Sequence, residues 1–120
     1  LEKLISFYPI SKNTKESLLT LYGTNATKVL SLASELENFQ LIDEKLPYLK
    51  VEIDYCIKYE FVKKPIDFLA RRIGLCFVNK KDSLLCIDVV CEEMGRIFNW
   101  GDIKLEKEKK ECRFYINNYF

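Results

Sequence analysis

The fold of this 120-residue chain is indicated most directly by residues 65–77, PIDFLARRIGLCF. Pro65 suits the first turn of a helix, where its missing N–H costs no hydrogen bond. The apolar residues of the stretch then recur at helical spacing: Ile66, Leu69, Ala70, Ile73, Cys76 and Phe77. We therefore predict one amphipathic helix, with Gly74 inside it at a cost of about 1 kcal/mol relative to alanine.

Two more helices are predicted in the N-terminal third of the chain. Residues 1–12 have no clear period and indicate an inbound linker. Asn13 and Glu16 have the spacing of a capping box, and Gly23 is placed to end the first helix in a left-handed conformation. The second helix has apolar residues at regular helical intervals, namely Ala26, Val29, Leu30, Ala33 and Leu36.

A further pair of helices is predicted after residue 79. Asn79 and Asp82 mark the start of the first, whose apolar stripe comprises Leu84, Ile87, Val90, Cys91, Met94, Ile97 and Phe98. Asp102 is placed to cap the second. Its predicted inward side chains are Leu105, Cys112, Tyr115, Ile116 and Tyr119, and its predicted water-facing ones are Lys104, Glu106, Lys107, Glu108, Lys109, Lys110 and Glu111. Together these patterns predict an all-α fold, a compact bundle of five to six helices.

Residues 48–62, YLKVEIDYCIKYEFV, permit two interpretations. Apolar residues alternate with polar or small ones from Val51 to Phe61, which is typical of a strand. A helix is also consistent, because Leu49, Ile53, Cys56 and Ile57 would share one face. Periodicity alone favours the strand.

Composition excludes several classes of function. The chain has no histidine, so Ser-His and Cys-His dyads and histidine metal ligands are excluded. A net charge of +1 lacks the basic field of a nucleic-acid binder, and we expect no nucleic-acid partner. No apolar run is long enough for a transmembrane segment. The start at Leu1 is what a piece of a longer protein would show.

The five cysteines are Cys56, Cys76, Cys86, Cys91 and Cys112. They form no Cys-x-x-Cys pair, their number is odd, and several have apolar neighbours, which is typical of reduced core cysteines. We therefore expect no metal site and a reducing intracellular compartment.

Arg71 and Arg72 are the one tight arginine pair and the main candidate site. Glu60 and Asp67 are near in sequence, so the pair could belong to a structural ion-pair network. Guanidinium groups also suit carboxylates and phosphates, so a contact with another domain or an anionic group is the second interpretation. Adjacent residues on a helix diverge by about 100°. We therefore expect one arginine to pair with Asp67 or Glu60 and the other to face outward.

Four motifs in register resemble a known family. They are LPYL-x-x-E-x-x-Y over residues 46–55, D-x-L-x-R-R with Leu-x-Phe over residues 67–77, Met94 followed by Trp100, and the helix ending Leu21-Tyr22-Gly23. In order and spacing they resemble the C-terminal helical domain of FAD-dependent, mitochondrial-type glycerol-3-phosphate dehydrogenase and of bacterial glycerophosphate oxidases. The resemblance covers residues 18–118. Ile73 and Gly74 depart from the family's Thr-Arg, and Lys64 stands where a capping threonine is usual.

The resemblance implies that residues 13–120 are a C-terminal helical accessory domain of a larger flavoenzyme. The full-length enzyme would oxidise sn-glycerol 3-phosphate to dihydroxyacetone phosphate and pass electrons to quinone. FAD would bind to the upstream domain of the same chain, and we expect no cofactor, catalytic or metal site in this fragment, which alone would be inactive. The parent would be membrane-associated, at the mitochondrial inner membrane in a eukaryote.

Two further expectations follow from the resemblance. It favours a helix over residues 48–61, with both faces covered, against the alternating pattern. It also makes the missing flavoprotein domain the expected partner of the outward-facing arginine. The alternative is an independent helical protein–protein interaction module with no enzymatic parent.

Overall fold

The computed structural model describes residues 7–120 and shows an all-α chain. Its α-helices are α1 (Lys12–Tyr22), α2 (Ala26–Glu35), α3 (Val51–Glu60), α4 (Leu75–Val78), α5 (Lys80–Phe98) and α6 (Asp102–Tyr119). A 3₁₀ turn, Gly23–Asn25, links α1 to α2, and a π-helical segment, Asp67–Arg72, precedes α4. Within the described residues there is no strand, only an isolated bridge between Leu41 and Leu49. The all-α prediction of five to six helices is confirmed; residues 1–6 of the predicted linker lie outside the described part.

The chain divides into two compact units, residues 1–55 and 56–120, and the boundary falls within α3. The core of the first unit comprises Leu18, Tyr22, Ala26, Val29, Leu30, Ala33, Ile42, Leu49, Val51, Ile53 and Tyr55. The core of the second comprises Cys56, Val62, Phe68, Leu69, Ala70, Ile73, Leu75, Cys76, Cys86, Ile87, Val90, Cys91, Met94, Cys112 and Ile116.

No helix among residues 7–120 combines the length and apolar character needed to cross a membrane.

The ends of α1 show one wrong and one correct prediction. Ser11, not Asn13, is the N-cap residue, and its Oγ accepts a 3.1 Å hydrogen bond from the Thr14 N–H. Asn13 already lies inside the helix, so its side chain cannot cap it. Gly23 ends α1 with a φ of 56°, and its N–H donates to the Leu19 carbonyl, as the sequence predicted.

Helix α3 resolves the ambiguous segment. Residues 51–60 are helical, so the helix implied by the resemblance is confirmed and the strand interpretation is wrong. Val51, Glu52, Ile53, Tyr55 and Cys56 are all buried, so the first half of α3 is covered on most sides. An apolar residue is then tolerated at almost any position of this half, so the alternation of apolar and polar residues no longer indicates a strand. The C-terminal half is more open, so the expectation of two covered faces holds only for the first half.

The single helix predicted over residues 65–77 is wrong, because the chain breaks at Gly74. Gly74 has a φ of 67°, in the left-handed region, and separates the π-helical segment from α4. The Ile73 N–H donates to the Phe68 carbonyl at 3.0 Å, the five-residue step of a π-turn. This wider step brings Phe68 into the core although the 3.6-residue stripe omits it. The break also turns Phe77 outward, leaving it 73% exposed.

Helices α5 and α6 form the largest packed pair of the second unit. Asn79 caps α5, since its Oδ1 accepts from the Asp82 N–H at 3.1 Å, as predicted. Gly101 is the N-cap of α6 and Asp102 its first residue, so the predicted cap was one residue late. The buried residues of the two helices are Ser83, Cys86, Ile87, Val90, Cys91, Met94, Gly95, Glu108, Cys112 and Ile116.

Four side chains of α6 differ from their predicted orientation. Lys109, expected to face water, is 14% exposed and lies 3.7–3.8 Å from Asp88, Glu92 and Glu106. Tyr115 and Tyr119, expected inward, are 43% and 68% exposed. Glu108, expected to face water, is 2% exposed. Glu108 lies at the helical spacing of the apolar stripe, three residues after Leu105 and four before Cys112, so geometry places it inward whatever its charge.

Candidate functional site

A buried glutamate organises the start of α3 in the first unit. Glu52 is fully buried, and its Oε2 accepts a 2.6 Å hydrogen bond from the Leu49 N–H. The Glu52 N–H in turn donates to the Leu49 carbonyl at 3.1 Å. The reciprocal pair resembles a capping box, in which a side chain near the helix start satisfies a backbone donor that has no intrahelical acceptor.

The same carboxylate ties α1 to α3. The Tyr22 hydroxyl donates a 2.9 Å hydrogen bond to Glu52 Oε1, and the Tyr22 ring meets the Tyr55 ring edge to face at 5.5 Å. Tyr22, Glu52 and Tyr55 therefore form one buried cluster, which we call the Glu52 clamp. A buried carboxylate with two short donors is held as an acceptor, so the clamp is suited to fixing the chain.

Sequence reasoning did not place the Glu52 clamp among its candidate residues. The signal was present, because Glu52 and Tyr55 are the Glu and Tyr of the LPYL-x-x-E-x-x-Y motif and Tyr22 belongs to the Leu-Tyr-Gly motif. Two motifs that are 30 residues apart in sequence thus meet through one hydrogen bond.

Of the predicted site residues, Arg72 and Glu60 lie together in the second unit. Arg72 Nε is 2.8 Å from Glu60 Oε1, and both side chains are largely buried, with 25% and 29% of their surface exposed. The pair joins the end of α3 to the end of the π-helical segment. Partial burial strengthens such a pair relative to one in open solvent.

Arg71 and Asp67 form a looser pair on the surface. Arg71 Nη1 lies 3.4 Å from Asp67 Oδ1, and the arginine side chain is 82% exposed. Such pairs contribute little to stability. Both arginines line an open groove of about 220 Å³, together with Glu60, Phe61, Val62 and Asp67.

Phe61, in this groove, has an unusual backbone conformation. It follows the last residue of α3 with a φ of 58°, and the Val62 N–H returns to the Cys56 carbonyl at 3.2 Å. This hydrogen bond reaches one residue further back than the 6→1 bond of a Schellman motif, and it ends α3 at a left-handed position that is normally glycine. Phenylalanine there costs about 1–2 kcal/mol, although its ring is 80% exposed. No packing contact among residues 7–120 accounts for the position of the ring.

A second buried carboxylate lies in the 56–120 unit. Lys64 Nζ donates to Glu108 Oε1 at 2.7 Å, and Lys104 Nζ lies 3.4 Å from the same oxygen. Burial acts to raise the pKa of Glu108, but the Lys64 hydrogen bond and the charges of both lysines outweigh it and hold this pKa below its ordinary value. The hydrogen bond to Glu108 likewise raises the pKa of Lys64. Both groups are therefore charged at neutral pH.

The cysteines offer no reactive site in the described structure. All five are free and buried, and burial raises the pKa of the Cys91 and Cys112 thiols to about 12. Because the thiolate is the reactive form, such thiols are inert toward nucleophilic chemistry. Within residues 7–120 no group of three or more cysteine and acidic side chains is arranged to hold a metal ion.

The residues described do not fit FAD, the cofactor that the resemblance assigns to the parent enzyme. A dinucleotide site of the usual type needs closely spaced glycines between a strand and a helix. The four glycines here are Gly23, Gly74, Gly95 and Gly101. They are dispersed, and none follows a strand among residues 7–120. We therefore assign no flavin-binding residue in this chain.

Comparison with known proteins identifies relatives along most of the chain. Residues 1–105 match the family described as the C-terminal domain of alpha-glycerophosphate oxidase. The chain is 33% identical over 108 residues to the mitochondrial glycerol-3-phosphate dehydrogenase of Schizosaccharomyces pombe, covering 90% of this chain and 15% of that protein. The mitochondrial enzyme of Bos taurus is 29% identical over 120 residues, covering 95% of this chain and 16% of its own length.

Bacterial relatives are similar to the same degree. The aerobic glycerol-3-phosphate dehydrogenase of Staphylococcus aureus is 32% identical over 105 residues, covering 87% of this chain and 18% of that protein. The chain thus spans less than one fifth of the length of each of these relatives. No solved structure matches it.

Proposed function

Because the chain belongs to the family of C-terminal domains of alpha-glycerophosphate oxidase, we propose that residues 13–120 are the non-catalytic C-terminal domain of a longer, FAD-dependent glycerol-3-phosphate dehydrogenase. The longer protein oxidises sn-glycerol 3-phosphate to dihydroxyacetone phosphate and passes the electrons to quinone. The single observation that carries this proposal is the family match over residues 1–105. In a eukaryote this protein is mitochondrial and associated with the inner membrane.

The division of labour within the longer protein is part of the proposal. More than four fifths of each relative described above lies outside the part that this chain matches, which leaves ample length for an upstream domain with the flavin and substrate sites. The Glu52 clamp and the Arg72–Glu60 and Lys64–Glu108 pairs are directed at groups of the chain itself. Their role is to hold the fold.

We place the contact with the upstream flavoprotein domain at Phe61 and Arg71. Both are at least 80% exposed and line the same groove. The backbone strain at Phe61 supports this choice, because a strained bulky residue in an exposed position points to a function outside the chain's own packing. Arg71 would offer its guanidinium to a carboxylate of the partner domain, while Arg72 stays with Glu60.

The proposal is tested by comparing residues 1–120 with the longer protein. The longer protein is expected to show a flavin absorbance band and to reduce a quinone analogue when glycerol 3-phosphate is added. The 120-residue chain is expected to be colourless and inactive. Stoichiometric flavin in the isolated chain would contradict the assignment.

The coding sequence upstream of Leu1 gives an independent test. A G-x-G-x-x-G motif that opens a βαβ unit several hundred residues earlier supports the proposal. A methionine start immediately before Leu1 would favour the alternative, an independent helical protein–protein interaction module.

A further inference from the structure

Two unusual backbone features meet at the groove that Arg71 and Arg72 line. Phe61 has a φ of 58°, at a position where glycine is usual, and residues 67–72 form the π-helical segment. Residues of both features line the groove of about 220 Å³. π-Helical turns and strained bulky residues are both found frequently at functional sites. Their meeting at one groove indicates that the groove binds a group from outside residues 7–120.

The charged residues around the groove leave a surplus of positive charge. Residues 58–72 contain five cations and two acidic residues. The two acidic residues already face the two arginines, at 2.8 Å and 3.4 Å. Lys64 is directed at Glu108 of α6, at 2.7 Å, and lies 3.9 Å from Glu111. Two exposed lysines remain outside these pairs.

The two remaining lysines are Lys58 and Lys63, which lie just before and just after the groove residues 60–62. Both side chains are exposed, and Lys58 Nζ lies over the Tyr59 ring, 5.2 Å from its centre. Asp54, the acidic residue one turn earlier in α3, is half-buried. The Arg71 guanidinium is 82% exposed, and its contact with Asp67 uses only one of its nitrogens. Three cations are therefore accessible to a partner.

The arrangement of charge favours carboxylates over a phosphate group. A phosphate dianion needs several donors at one point, but the three accessible cations are spread over residues 58–71. Glu60 and Asp67, in the wall of the groove, would also repel a doubly charged group. Separate carboxylates along one segment can each meet one cation. A second copy of this chain would bring the same positive surplus to a symmetric contact.

The apolar part of the contact comes from Phe61 and Tyr59. Their side chains are 80% and 51% exposed. Aromatic residues and arginine are enriched in protein interfaces, and the rim of an interface is polar. Phe61 and Arg71 thus have the composition of an interface centre, and the two lysines that of its rim. A partner that fits this surface carries an apolar side chain among its carboxylates.

We propose that the groove binds an acidic segment of the upstream domain, with two or more carboxylates and one apolar side chain. The apolar side chain packs on Phe61, and the carboxylates meet Lys58, Lys63 and Arg71. This names the chemistry of the partner surface at the contact placed above, and it rests on the proposed function.

The first experiment compares hydroxyl-radical labelling of the longer protein with that of residues 1–120. Phe61 is expected to be labelled about fivefold less in the longer protein, since its ring would change from 80% exposed to mostly covered at an interface centre. Phe114 of α6, which is 63% exposed, is the matched control and should be labelled equally in both. Equal labelling of Phe61 in the two proteins would overturn the proposal.

The second experiment tests the acidic character of the partner with a carbodiimide, which joins a lysine amine to a carboxylate in contact with it. In the longer protein, Lys58 or Lys63 is expected to be joined to an aspartate or glutamate upstream of Leu1. Lys110, an exposed lysine of α6, is the control and should be joined to none of these residues. Mass spectrometry of the digested protein identifies the joined peptides.

Charge reversal in the longer protein links the two measurements. The double variant Lys58→Glu with Lys63→Glu should raise the labelling of Phe61 toward its level in the 120-residue chain, because like charges now face each other. Changing the cross-linked acidic residue to lysine in the same protein should protect Phe61 again. Lys110→Glu should have no effect. Circular dichroism checks that every variant keeps its helices.

The remaining outcomes separate this inference from the proposed function. Upstream carboxylates joined equally to Lys110 and Lys63 would overturn the inference. So would protection of Phe61 in the 120-residue chain by inorganic phosphate, which would indicate a small-anion site, or protection that increases with protein concentration, which would indicate a second copy. A longer protein that oxidises glycerol 3-phosphate with Phe61 fully labelled would refute the inference alone. Protection and upstream cross-links in a longer protein without that activity would support the acidic partner and contradict the proposed function.

Discussion

The Tyr22 hydroxyl and the Glu52 carboxylate form a 2.9 Å hydrogen bond in the interior of the first unit. Tyr22 is the last residue of α1 and Glu52 the second of α3, so one bond joins the ends of two helices that a long connection separates. A buried carboxylate is unfavourable unless donors surround it. The bond therefore makes the position of α1 and the first turn of α3 depend on each other.

Removing this hydrogen bond is expected to destabilise the chain. Tyr22→Phe keeps the ring and its contact with Tyr55 but leaves Glu52 with one donor fewer. We expect the free energy of unfolding to fall by about 2 kcal/mol, the usual scale for a hydrogen bond to a charged group. Urea denaturation followed by circular dichroism measures it. Tyr119→Phe, at an exposed tyrosine, is the control, and equal effects at the two sites would contradict the assigned role of the clamp.

The Lys64–Glu108 pair predicts a specific dependence of stability on pH. Folding lowers the pKa of Glu108 from 4.5, so the carboxylate's contribution is complete above that pH and is lost as the pH falls through the lower folded pKa. Folding raises the pKa of Lys64 from 10.5, so the lysine's contribution is complete below that pH and is lost as the pH rises through the higher folded pKa. The stability difference between wild type and Glu108→Gln should therefore be constant between about pH 5 and pH 10 and shrink below about pH 4.

Removing Lys64 is expected to take the shortest ion pair from Glu108 and to leave it Lys104, whose Nζ lies 3.4 Å away. Lys64→Met should lower the free energy of unfolding by about 1–2 kcal/mol, less than for a fully buried pair because Lys64 is half-exposed. Lys107→Met, at a lysine whose contact with Glu111 is 4.0 Å long, should change stability by no more than about 0.5 kcal/mol. Chemical denaturation at neutral pH measures both, and equal losses would show that Lys64 contributes no more to stability than an exposed lysine.

The same substitution is predicted to have opposite effects at two glycines. Gly74 has a φ of 67°, and a Cβ added there would meet no atom within 4 Å, so Gly74→Ala should cost about 1 kcal/mol through backbone strain alone. Gly95 lies inside α5, where an added Cβ would lie 3.5 Å from Leu105 and Trp100. This is an ordinary contact distance, so Gly95→Ala should be neutral or stabilise by up to about 1 kcal/mol. Thermal melting compares the two variants; a Gly74→Ala protein more stable than wild type would contradict the structure.

Arg71 and Arg72 are predicted to have different roles, Arg72 in the stability of this chain and Arg71 in the activity of the longer protein. Arg72→Ala should destabilise the 120-residue chain by about 1–2 kcal/mol, because Glu60 loses a partly buried partner. Arg71→Ala should change it by less than about 1 kcal/mol yet reduce activity in the longer protein. Phe61→Gly should relieve strain in the chain while impairing the longer protein in the same way. If both arginine variants leave chain stability and enzyme activity unchanged, the pair is ordinary surface charge.

Features that depend on residues close together in sequence could be predicted from the sequence, whereas features that depend on distant residues could not. Helix ends at Gly23 and Asn79 depend on residues within one turn, and both were predicted correctly. The break at Gly74 was not predicted. A glycine within a helix and a glycine that ends a helix can have the same apolar residues around them, and only the π-turn from Phe68 to Ile73, seen in the structure, tells the two apart. The 48–62 segment needed the family resemblance, because burial of α3 on most sides removes the periodic signal.

The site shows the same limit. The motif residues Tyr22 and Glu52 were noted separately, but their contact spans 30 residues and no spacing rule connects them. Glu108 was placed in water because of its charge, whereas the helical stripe of α6 and a lysine 44 residues away decide its burial. The proximity of Arg72 to Glu60 was among the expected pairings; the role of Arg71 toward another domain stays a prediction.

The five buried cysteines have a practical consequence for studying how this chain opens. All lie at positions 56 to 112, in the second unit, and residues 1–55 contain none. A thiol-specific reagent can modify them only when that unit opens and the thiols meet solvent. The rate of labelling at each cysteine, measured by mass spectrometry, would therefore report the rate at which helices of the second unit open. The first unit would contribute no signal.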